Sequence, residues 1–323
     1  MDPASRESPR VSVIIPTFNR ERYLAAAIDS VLRQTMADLE LIVVDDGSTD
    51  STATLVGAIQ DHRLNYIIQS HRGLSASLNR GLQAARGEFI ARLDSDDLFV
   101  PDALATMTAT AEAAPAVDVV WACGRIMDRD GNDQPRTRGS REHFPGEMLR
   151  SLVYEDCTSG AGMLIRRACF AQVGVYDEGP GYSEDWDMAI RLARQFRFRF
   201  VDRIVFRVRE HDDSMTGRYS PERARFLATR TAPLDKLFRQ PDLPAEILAI
   251  RPVAYANVHI FCGRMWLSSR RFGPAMREFA RAAIVSRTPL RTALAIAWRA
   301  GAVSLLERSA AGRRALAALN HRV

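Results

Sequence analysis

Gly87-Glu88-Phe89-Ile90-Ala91-Arg92-Leu93-Asp94-Ser95-Asp96-Asp97 decides how this chain folds. Phe89-Ile90-Ala91 reads as a short buried strand, and Pro101 opens a helix soon after it. The carboxylates of Asp94, Asp96 and Asp97 therefore crowd at the carboxyl end of a strand. In an open α/β sheet that edge is where ligands bind. Carboxylates held so close repel one another, and a hard divalent cation, Mg²⁺ or Mn²⁺ shared with a diphosphate, is the usual remedy. Taken alone, Asp-x-Asp is more often a solvated acidic turn, with Asp97 capping the next helix. The rest of the chain decides between the two.

Upstream, Val11-Ser12-Val13-Ile14-Ile15 is a strand stopped by Pro16. Residues 20–34 place Tyr23, Leu24, Ala27, Ile28, Val31 and Leu32 at helical spacing. Residues 39–44 form a second strand, nearly all apolar, which suits a parallel sheet covered on both faces. Asp45-Asp46-Gly47-Ser48-Thr49-Asp50 is a loop that leads into a helix. A strand at 64–68, a helix at 74–85 and a strand at 89–93 complete a β-α-β-α-β-α-β rhythm. That rhythm predicts a doubly wound parallel α/β sheet flanked by helices.

Downstream, a helix is expected at 101–113 and a strand from 117 to 123 or 127. Residues 128–142, rich in Asp, Arg and Gly, read as an exposed loop. A helix at 144–154 and a strand at 163–165 follow, the latter after Ser159-Gly160-Ala161-Gly162, where backbone could approach a ligand closely. A helix opens at 182–187, and 198–208 holds one or two closing strands. From about residue 220 the texture turns to Ala-, Leu- and Arg-rich helices. One helical hairpin spans 252–285 around Gly263 and Gly273, and an amphipathic basic helix or pair lies at 292–318.

The 323 residues are 46% apolar and 26% charged, a folded chain long enough for one large domain and an appendage or for two domains. The net charge of +5 is uneven: residues 1–219 carry about −7 and residues 220–323 about +12, nearly all from Arg. Aromatics do not interleave with the arginines, so no nucleic-acid partner is expected. An anionic surface, such as a membrane or a lipid-phosphate acceptor, fits better. Cys123, Cys157, Cys169 and Cys262 are scattered and read as free thiols of a reducing compartment. Residues 1–10 lack the apolar core of a signal peptide, and no uncharged apolar run reaches the ~18–20 residues of a membrane span. A cytoplasmic protein is expected, peripheral at the inner membrane face if the basic helices bind lipid.

Several segments, in this order, resemble the motifs of family-2 glycosyltransferases, which have the GT-A fold. They are Val11-Ser12-Val13-Ile14-Ile15-Pro16-Thr17-Phe18-Asn19-Arg20, Leu41-Ile42-Val43-Val44-Asp45-Asp46-Gly47-Ser48-Thr49-Asp50, Arg72-Gly73-Leu74-Ser75-Ala76-Ser77-Leu78-Asn79, Asp94-Ser95-Asp96-Asp97 and Glu184-Asp185-Trp186-Asp187. The resemblance covers roughly residues 9–219 and implies a GT-A (Rossmann-like, mostly parallel) nucleotide-sugar domain at 10–219. Composition gives a disordered tail at 1–9 before it and a basic α-helical region at 220–323 after it, the latter without a comparably specific match.

It also implies roles. Pro16, Thr17 and Asn19 would pack against uracil, and Asp45 would accept from its N3–H, as an acceptor-only carboxylate can. Asp46 would support the loop, while Arg72 and Asn79 either contact the nucleotide or brace the turn. Asp94, with Ser95, falls on the ribose or diphosphate side, Asp96 on the metal, and Asp97 caps a helix. An acceptor hydroxyl has a high pKa, so a positioned carboxylate must take its proton. Asp185 is that base, Glu184 orients or contacts the acceptor, and Trp186 belongs to the core. His211, within Arg207-Val208-Arg209-Glu210-His211-Asp212-Asp213-Ser214-Met215-Thr216, adds a ligand to the metal, and residues 215–219 suit a mobile lid.

The resemblance thus implies a Mn²⁺- or Mg²⁺-dependent inverting enzyme. It would move sugar from a nucleotide-sugar, UDP-linked by preference, to a saccharide or lipid-linked acceptor in surface polysaccharide or glycolipid synthesis. Two rivals stand beside it: a polyprenyl-phosphate sugar transferase, and a non-catalytic nucleotide-sugar-binding scaffold. Nucleotidyl transfer is remote, because Pro16-Thr17-Phe18-Asn19 is not a Gly-rich loop. The sequence leaves the oligomeric state open.

Overall fold

A run that is apolar at nearly every position can be satisfied only between two covered faces, and residues 11–17 and 39–45 are buried throughout. The computed structural model describes residues 8–179, 183–211, 214 and 222–286. The expectations for residues 1–7, the lid at 215–219 and the basic helices at 292–318 lie outside them. The strands are β1 (Val11–Thr17), β2 (Leu39–Asp45), β3 (Leu64–Ile68), β4 (Phe89–Arg92), β5 (Leu98–Phe99), β6 (Val119–Met127), β7 (Asp133–Arg138), β8 (Met163–Arg166) and β9 (Phe198–Arg209). The helices are α1 (Leu24–Leu32), α2 (Thr52–Gly57), α3 (Leu74–Ala84), α4 (Ala103–Glu112), α5 (Met148–Tyr154), α6 (Phe170–Val173), α7 (Glu184–Ala193), α8 (Glu222–Thr229), α9 (Ala232–Leu237), α10 (Ala245–Ala249), α11 (Arg251–Ser268) and α12 (Phe272–Val285).

The sheet runs β3-β2-β1-β4-β8-β6-β9-β5, with β7 paired to β6. Its first half is parallel, as the β-α-β rhythm predicts. Beyond β4 it is mixed: β8 lies antiparallel between β4 and β6, β9 runs parallel to β6, and β5 returns antiparallel to β9. Alternate residues of the central strands feed two cores. Val13, Ile15, Leu41, Val43 and Phe89 pack with α1 and α4, whereas Ile14, Ile42, Val44 and Ile90 face Leu78, Leu152 and Trp186. Phe226, Leu227, Leu237, Ile247 and Val258, from α8 to α11, join that second cluster. α11 and α12 form the expected hairpin. They approach so closely at Gly263 that a Cβ there would stand 2.3 Å from the Phe279 ring.

Two local expectations change. Pro16 lies inside β1, opposite Val44. Leu93 N–H donates to Ile14 O, so Ile14 and, two residues on, Pro16 turn toward β4, which has already ended at Arg92. The missing N–H therefore breaks no ladder. Within 128–142, β7 forms a hairpin with β6, where the Asp128 carboxylate accepts from the Asp130 and Asn132 N–H groups and Gly131 has φ 94°. A polar, mostly exposed strand carries no alternation to read. Packing alone already requires small residues at 160 and 162. A Cβ on Gly160 would press on the Arg92 guanidinium at 3.1 Å, and one on Gly162 would meet Ala122 O at 2.6 Å.

One buried polar network pins the edge of the sheet opposite the motif loops. Glu40 accepts from Ser12 Oγ (2.6 Å), Arg86 N (2.7 Å), Arg86 Nη2 (2.8 Å) and Arg86 Nε (3.0 Å). Burial works to raise its carboxyl, but the Ser12 hydroxyl and Arg86 outweigh it and hold Glu40 below its ordinary value. A depressed folded value gives stability that is complete above the unfolded value and lost as pH falls through the folded one. Glu40→Gln should therefore lower stability at pH 7 by about 1–3 kcal/mol, the scale of hydrogen bonds to a charged group. In urea unfolding its gap to wild type should begin to close below about pH 4, the unfolded carboxylate range, and vanish once pH passes below the folded value. An undiminished gap at pH 3 would show that packing, not charge, makes the contribution.

Candidate active site

The carboxyl ends of β1 and β2 lie side by side, with Thr17 paired to Asp45. Their loops are stapled together. Asn19, left-handed at φ 52°, donates its N–H to Ser48 Oγ (2.9 Å) and accepts from Thr49 N (2.8 Å). Asparagine tolerates that conformation better than most L-residues. Asp45 is buried and accepts from Ser48 N (2.8 Å) and Tyr66 OH (2.6 Å). A carboxylate has further lone pairs for a ligand donor. Thr17 Oγ1 is buried with no partner among the described residues.

Asp46 organises the neighbouring loop. It accepts from Gln69 Nε2 (2.7 Å), Arg72 N (2.9 Å) and Gly73 N (2.7 Å), and His71 Nδ1 lies 2.8 Å from Oδ2. His71 in turn stacks on the exposed Phe18, ring centroids 4.2 Å apart. Arg72 and Asn79 are both drawn to one loop. Arg72 Nη2 donates to Glu178 (2.8 Å), while Asn79 brackets Tyr176, accepting from its N–H and donating to its carbonyl, and also reaches Glu178.

At the end of β4 the acidic run folds into a tight turn, with Asp97 N–H donating to Asp94 O. Asp94 is part-exposed, Ser95 buried, and Asp96 meets His211, Oδ2 to Nε2 at 2.9 Å. Asp97 does not cap α4, which starts later. Its Oδ1 accepts the N–H of Arg209 (2.9 Å), tying the turn to the end of β9. Burial and the charges of Asp96 and Asp94 push the Asp97 carboxyl up, against the pull of that N–H. Arg209 also donates to Asp96 O (3.0 Å) and lies over the Tyr23 ring, which packs on His211.

Among the described residues no three metal-ligating side chains converge. A Mg²⁺-like cation, however, is commonly held by one or two protein groups plus substrate phosphates. Asp96 and His211 fit that pattern. The His211 side chain is 3% exposed and its Nδ1 has no partner among the described residues, while Arg20 Nε lies 3.9 Å from Asp96 Oδ2.

Arg92 joins the acidic turn to the start of α7. Its Nε and Nη2 donate to Asp94 Oδ1 (2.9 and 2.8 Å), and its Nη1 to Glu184 Oε1 (2.7 Å). Burial opposes the Arg92 charge, and the carboxylates of Asp94, Glu184 and Asp185 outweigh it. Glu184 is pushed up by burial, with Arg92 pulling the other way. Asp185, at the N-terminus of a ten-residue helix, is part-exposed, the one carboxylate of the pair open to a ligand. Trp186 is core, with Nε1 donating to Leu152 O (2.9 Å).

Sequence alone gives no role to Arg92, Asp156 or Arg230, and holds Arg209 only as a member of the segment around His211. Arg92 alone had a signal, a charge inside an otherwise apolar strand, which is seldom buried unless paired.

Residues 12–174 match the profile described as Glycosyl transferase family 2. An uncharacterized glycosyltransferase of Rickettsia typhi is 30% identical over 243 residues, 72% of this chain and 74% of that protein. Chondroitin synthase of Escherichia coli is 29% identical over 203 residues, 61% of this chain and 28% of that protein. Among solved structures, the mannosyltransferase PcManGT of Pyrobaculum calidifontis in complex with GDP-Man and Mn²⁺ has a TM-score of 0.59 at 21% identity, covering 90% of this chain and 81% of that one. Residues 1–349 of S. aureus TarS in complex with UDP-GlcNAc give 0.55 at 17% identity, covering 87% and 92%. At such identities the likeness to these two is one of fold, and it extends into the C-terminal helices.

Removing one partner of a buried ion pair costs about 3–5 kcal/mol. Because Asp94 is 39% exposed, Arg92→Met should fall at the lower end, about 3 kcal/mol. Arg92→Lys, which keeps the charge but not the fork, should recover only part of it. Chemical unfolding decides, and a loss below about 1 kcal/mol in Arg92→Met, the scale of a surface pair, would show that the bridge contributes little.

Proposed function

The chain belongs to glycosyltransferase family 2, and on that premise we propose that it is a metal-dependent inverting transferase with a nucleotide-sugar donor, UDP-linked by preference. The acceptor is a hydroxyl of a saccharide or lipid-linked saccharide, of the kind used to build surface polysaccharide or glycolipid. One observation carries this reading: Arg92 joins the acidic turn of Asp94 and Asp96 to the Glu184-Asp185 helix start, so a leaving-group side and a base side share one site.

Asp45, with Pro16, Thr17 and Asn19 beside it, receives the base, and Asp94 and Ser95 lie toward the ribose and diphosphate. Asp96 and His211 would hold Mn²⁺ or Mg²⁺, which when bound neutralises the charge gathering on the departing diphosphate. Asp185 accepts the proton of the acceptor hydroxyl as its oxygen bonds to the anomeric carbon. The anomeric carbon–phosphate oxygen bond breaks on the opposite face, its electron pair leaves with the nucleoside diphosphate, and the centre inverts. Glu184, held by Arg92, keeps the helix start in place. Arg72 and Asn79, through Glu178, support the loop beside the nucleotide.

The two structures of similar fold are complexed with UDP-GlcNAc and with GDP-Man, so the donor is tested first. Thermal-shift titrations with UDP, GDP and TDP, each with and without Mn²⁺, should show one metal-dependent stabilisation. It should be about 2.7 kcal/mol at a hundredfold excess over Kd and be lost in Asp96→Ala. A shift that ignores the metal and survives Asp96→Ala would remove the cation from the proposal. Asp185→Asn should bind the same nucleotide normally while transfer falls by about 10²–10⁴, the share of a general base. Full activity in that variant would leave a nucleotide-sugar-binding scaffold or another base.

No helix among the described residues is long and apolar enough to cross a membrane. The excess of about +12 in residues 220–323 supports a peripheral contact with anionic lipid that brings the enzyme to a lipid-linked acceptor. Removing residues 290–323 should then reduce co-sedimentation with anionic vesicles, and unchanged binding would refute it.

A further inference from the structure

The C-terminal helical region sends a guanidinium to the start of the helix that carries Asp185. Arg230 follows α8 directly and is buried, its side chain 11% exposed. Its Nη1 donates to Ser183 Oγ (2.7 Å) and its Nη2 to Asp156 Oδ2 (2.6 Å). The guanidinium lies over Trp186, 4.7 Å from the ring centroid, with Phe226 and Phe261 at 5.3 and 5.4 Å. Arg230 therefore grips the residues immediately before and after Glu184-Asp185.

Two features make this grip more than packing. Ser183 has φ 103°, a conformation that a residue with a side chain keeps only when its surroundings over-determine it. The Ser183 side chain does not cap α7, and its hydroxyl accepts from Arg230 instead. Asp156 is a second carboxylate whose charge is felt by Asp185's neighbourhood. Burial and Asp185 work against its ionisation, and Arg230 favours it. Without the guanidinium, the backbone that aims Asp185 would lose its anchor, and Asp156 would stand beside it unpaired.

We propose that Arg230 is a positioning residue for Asp185: by holding Ser183, Asp156 and Trp186 it fixes the direction of the carboxylate that receives the acceptor's proton. This rests on the reading of Asp185 as the base. Arg230 is too buried and too fully engaged to meet a substrate itself, so its effect falls on turnover rather than on nucleotide binding.

The test uses the full chain. Turnover is read as release of nucleoside diphosphate from UDP-GlcNAc and GDP-mannose, and binding as the affinity for UDP or GDP with Mn²⁺. Arg230→Met keeps an unbranched apolar stem over Trp186 and should lower kcat by about 10–100-fold, the scale of a misplacement near 1 Å, with nucleotide affinity within about twofold of wild type. Arg230→Lys, able to reach one partner at a time, should recover part of kcat. Ser183→Ala, which leaves the Arg230–Asp156 pair, should show a smaller loss in the same direction, and it serves if Arg230→Met does not fold. Turnover within about twofold of wild type in both Arg230→Met and Ser183→Ala overturns the proposal. So does a fall of kcat and nucleotide affinity in step with melting temperature, which would mean that Arg230 only glues helices to the sheet. Asp185→Asn in the same assay separates the failures. If it turns over normally, the base assignment is what fails; if it is inactive while Arg230→Met is not, only the positioning role fails.

Discussion

Arg92 is the constraint on which the site depends. A guanidinium 7% exposed at the end of a central strand is tolerated only if its donors are satisfied and its charge balanced. The sheet supplies both from opposite directions. Asp94 comes from the turn that follows β4, and Glu184 from a helix some ninety residues later. Because the fork of Arg92 is planar and rigid, satisfying it fixes the turn and the helix start relative to each other. The small residue at 160 is part of the same constraint, since β8 brings that backbone so close that a Cβ would touch the guanidinium. The antiparallel insertion of β8, which departs from a purely doubly wound sheet, thus helps enclose Arg92.

Two further arginines extend this logic, each from a later part of the chain. Arg209, at the end of β9, closes on the acidic turn through Asp97 and the carbonyl of Asp96. Arg230, after α8, closes on the far side of the α7 start. The carboxylates Asp94, Asp96, Asp97, Asp156, Glu184 and Asp185 would repel one another if left alone. Arg92 pairs with Asp94 and Glu184, Arg230 pairs with Asp156, and the backbone N–H of Arg209 donates to Asp97, so each arginine holds part of the cluster in place. Asp94 and Asp185 remain part-exposed while most of their partners are buried. Fixed supports behind accessible oxygens are what a preorganised polar site requires.

What was legible in the sequence, and what was not, follows from the range of each interaction. The apolar runs at 11–15 and 39–44, and the helical spacing around Leu24 and Ile28, report local burial and so announced the parallel half of the sheet. The Asp-x-Asp and Glu-Asp segments stood out as carboxylates at the edges of such elements. β7 was hidden because its residues are polar and exposed, so no period marks it. Asp97 looked like a cap because caps are the local use of such a residue, yet its partner is the backbone of Arg209, over a hundred residues away. Gly160 and Gly162 looked like ligand-facing backbone because small residues are ambiguous. Close approach to Arg92 and to the Ala122 carbonyl explains them equally well. Arg230 had no sequence signal at all, being one arginine among many in a basic region.

That last case bears on how the C-terminal helices relate to the sheet. A region attached only for targeting would touch the sheet domain through a polar, replaceable surface. Here Phe226, Leu237, Ile247 and Val258 share one buried cluster with Ile14, Ile42 and Trp186. The same interface carries a guanidinium to the helix start that bears Asp185. Shared apolar burial makes the contact stable, and the directed hydrogen bonds of Arg230 make it specific in orientation. The basic charge of the region and its structural role are therefore separable. Of the two arginines buried there among the described residues, Arg223 bonds within the helices to Met265 O and Ser268 Oγ, and Arg230 reaches across to Ser183 and Asp156.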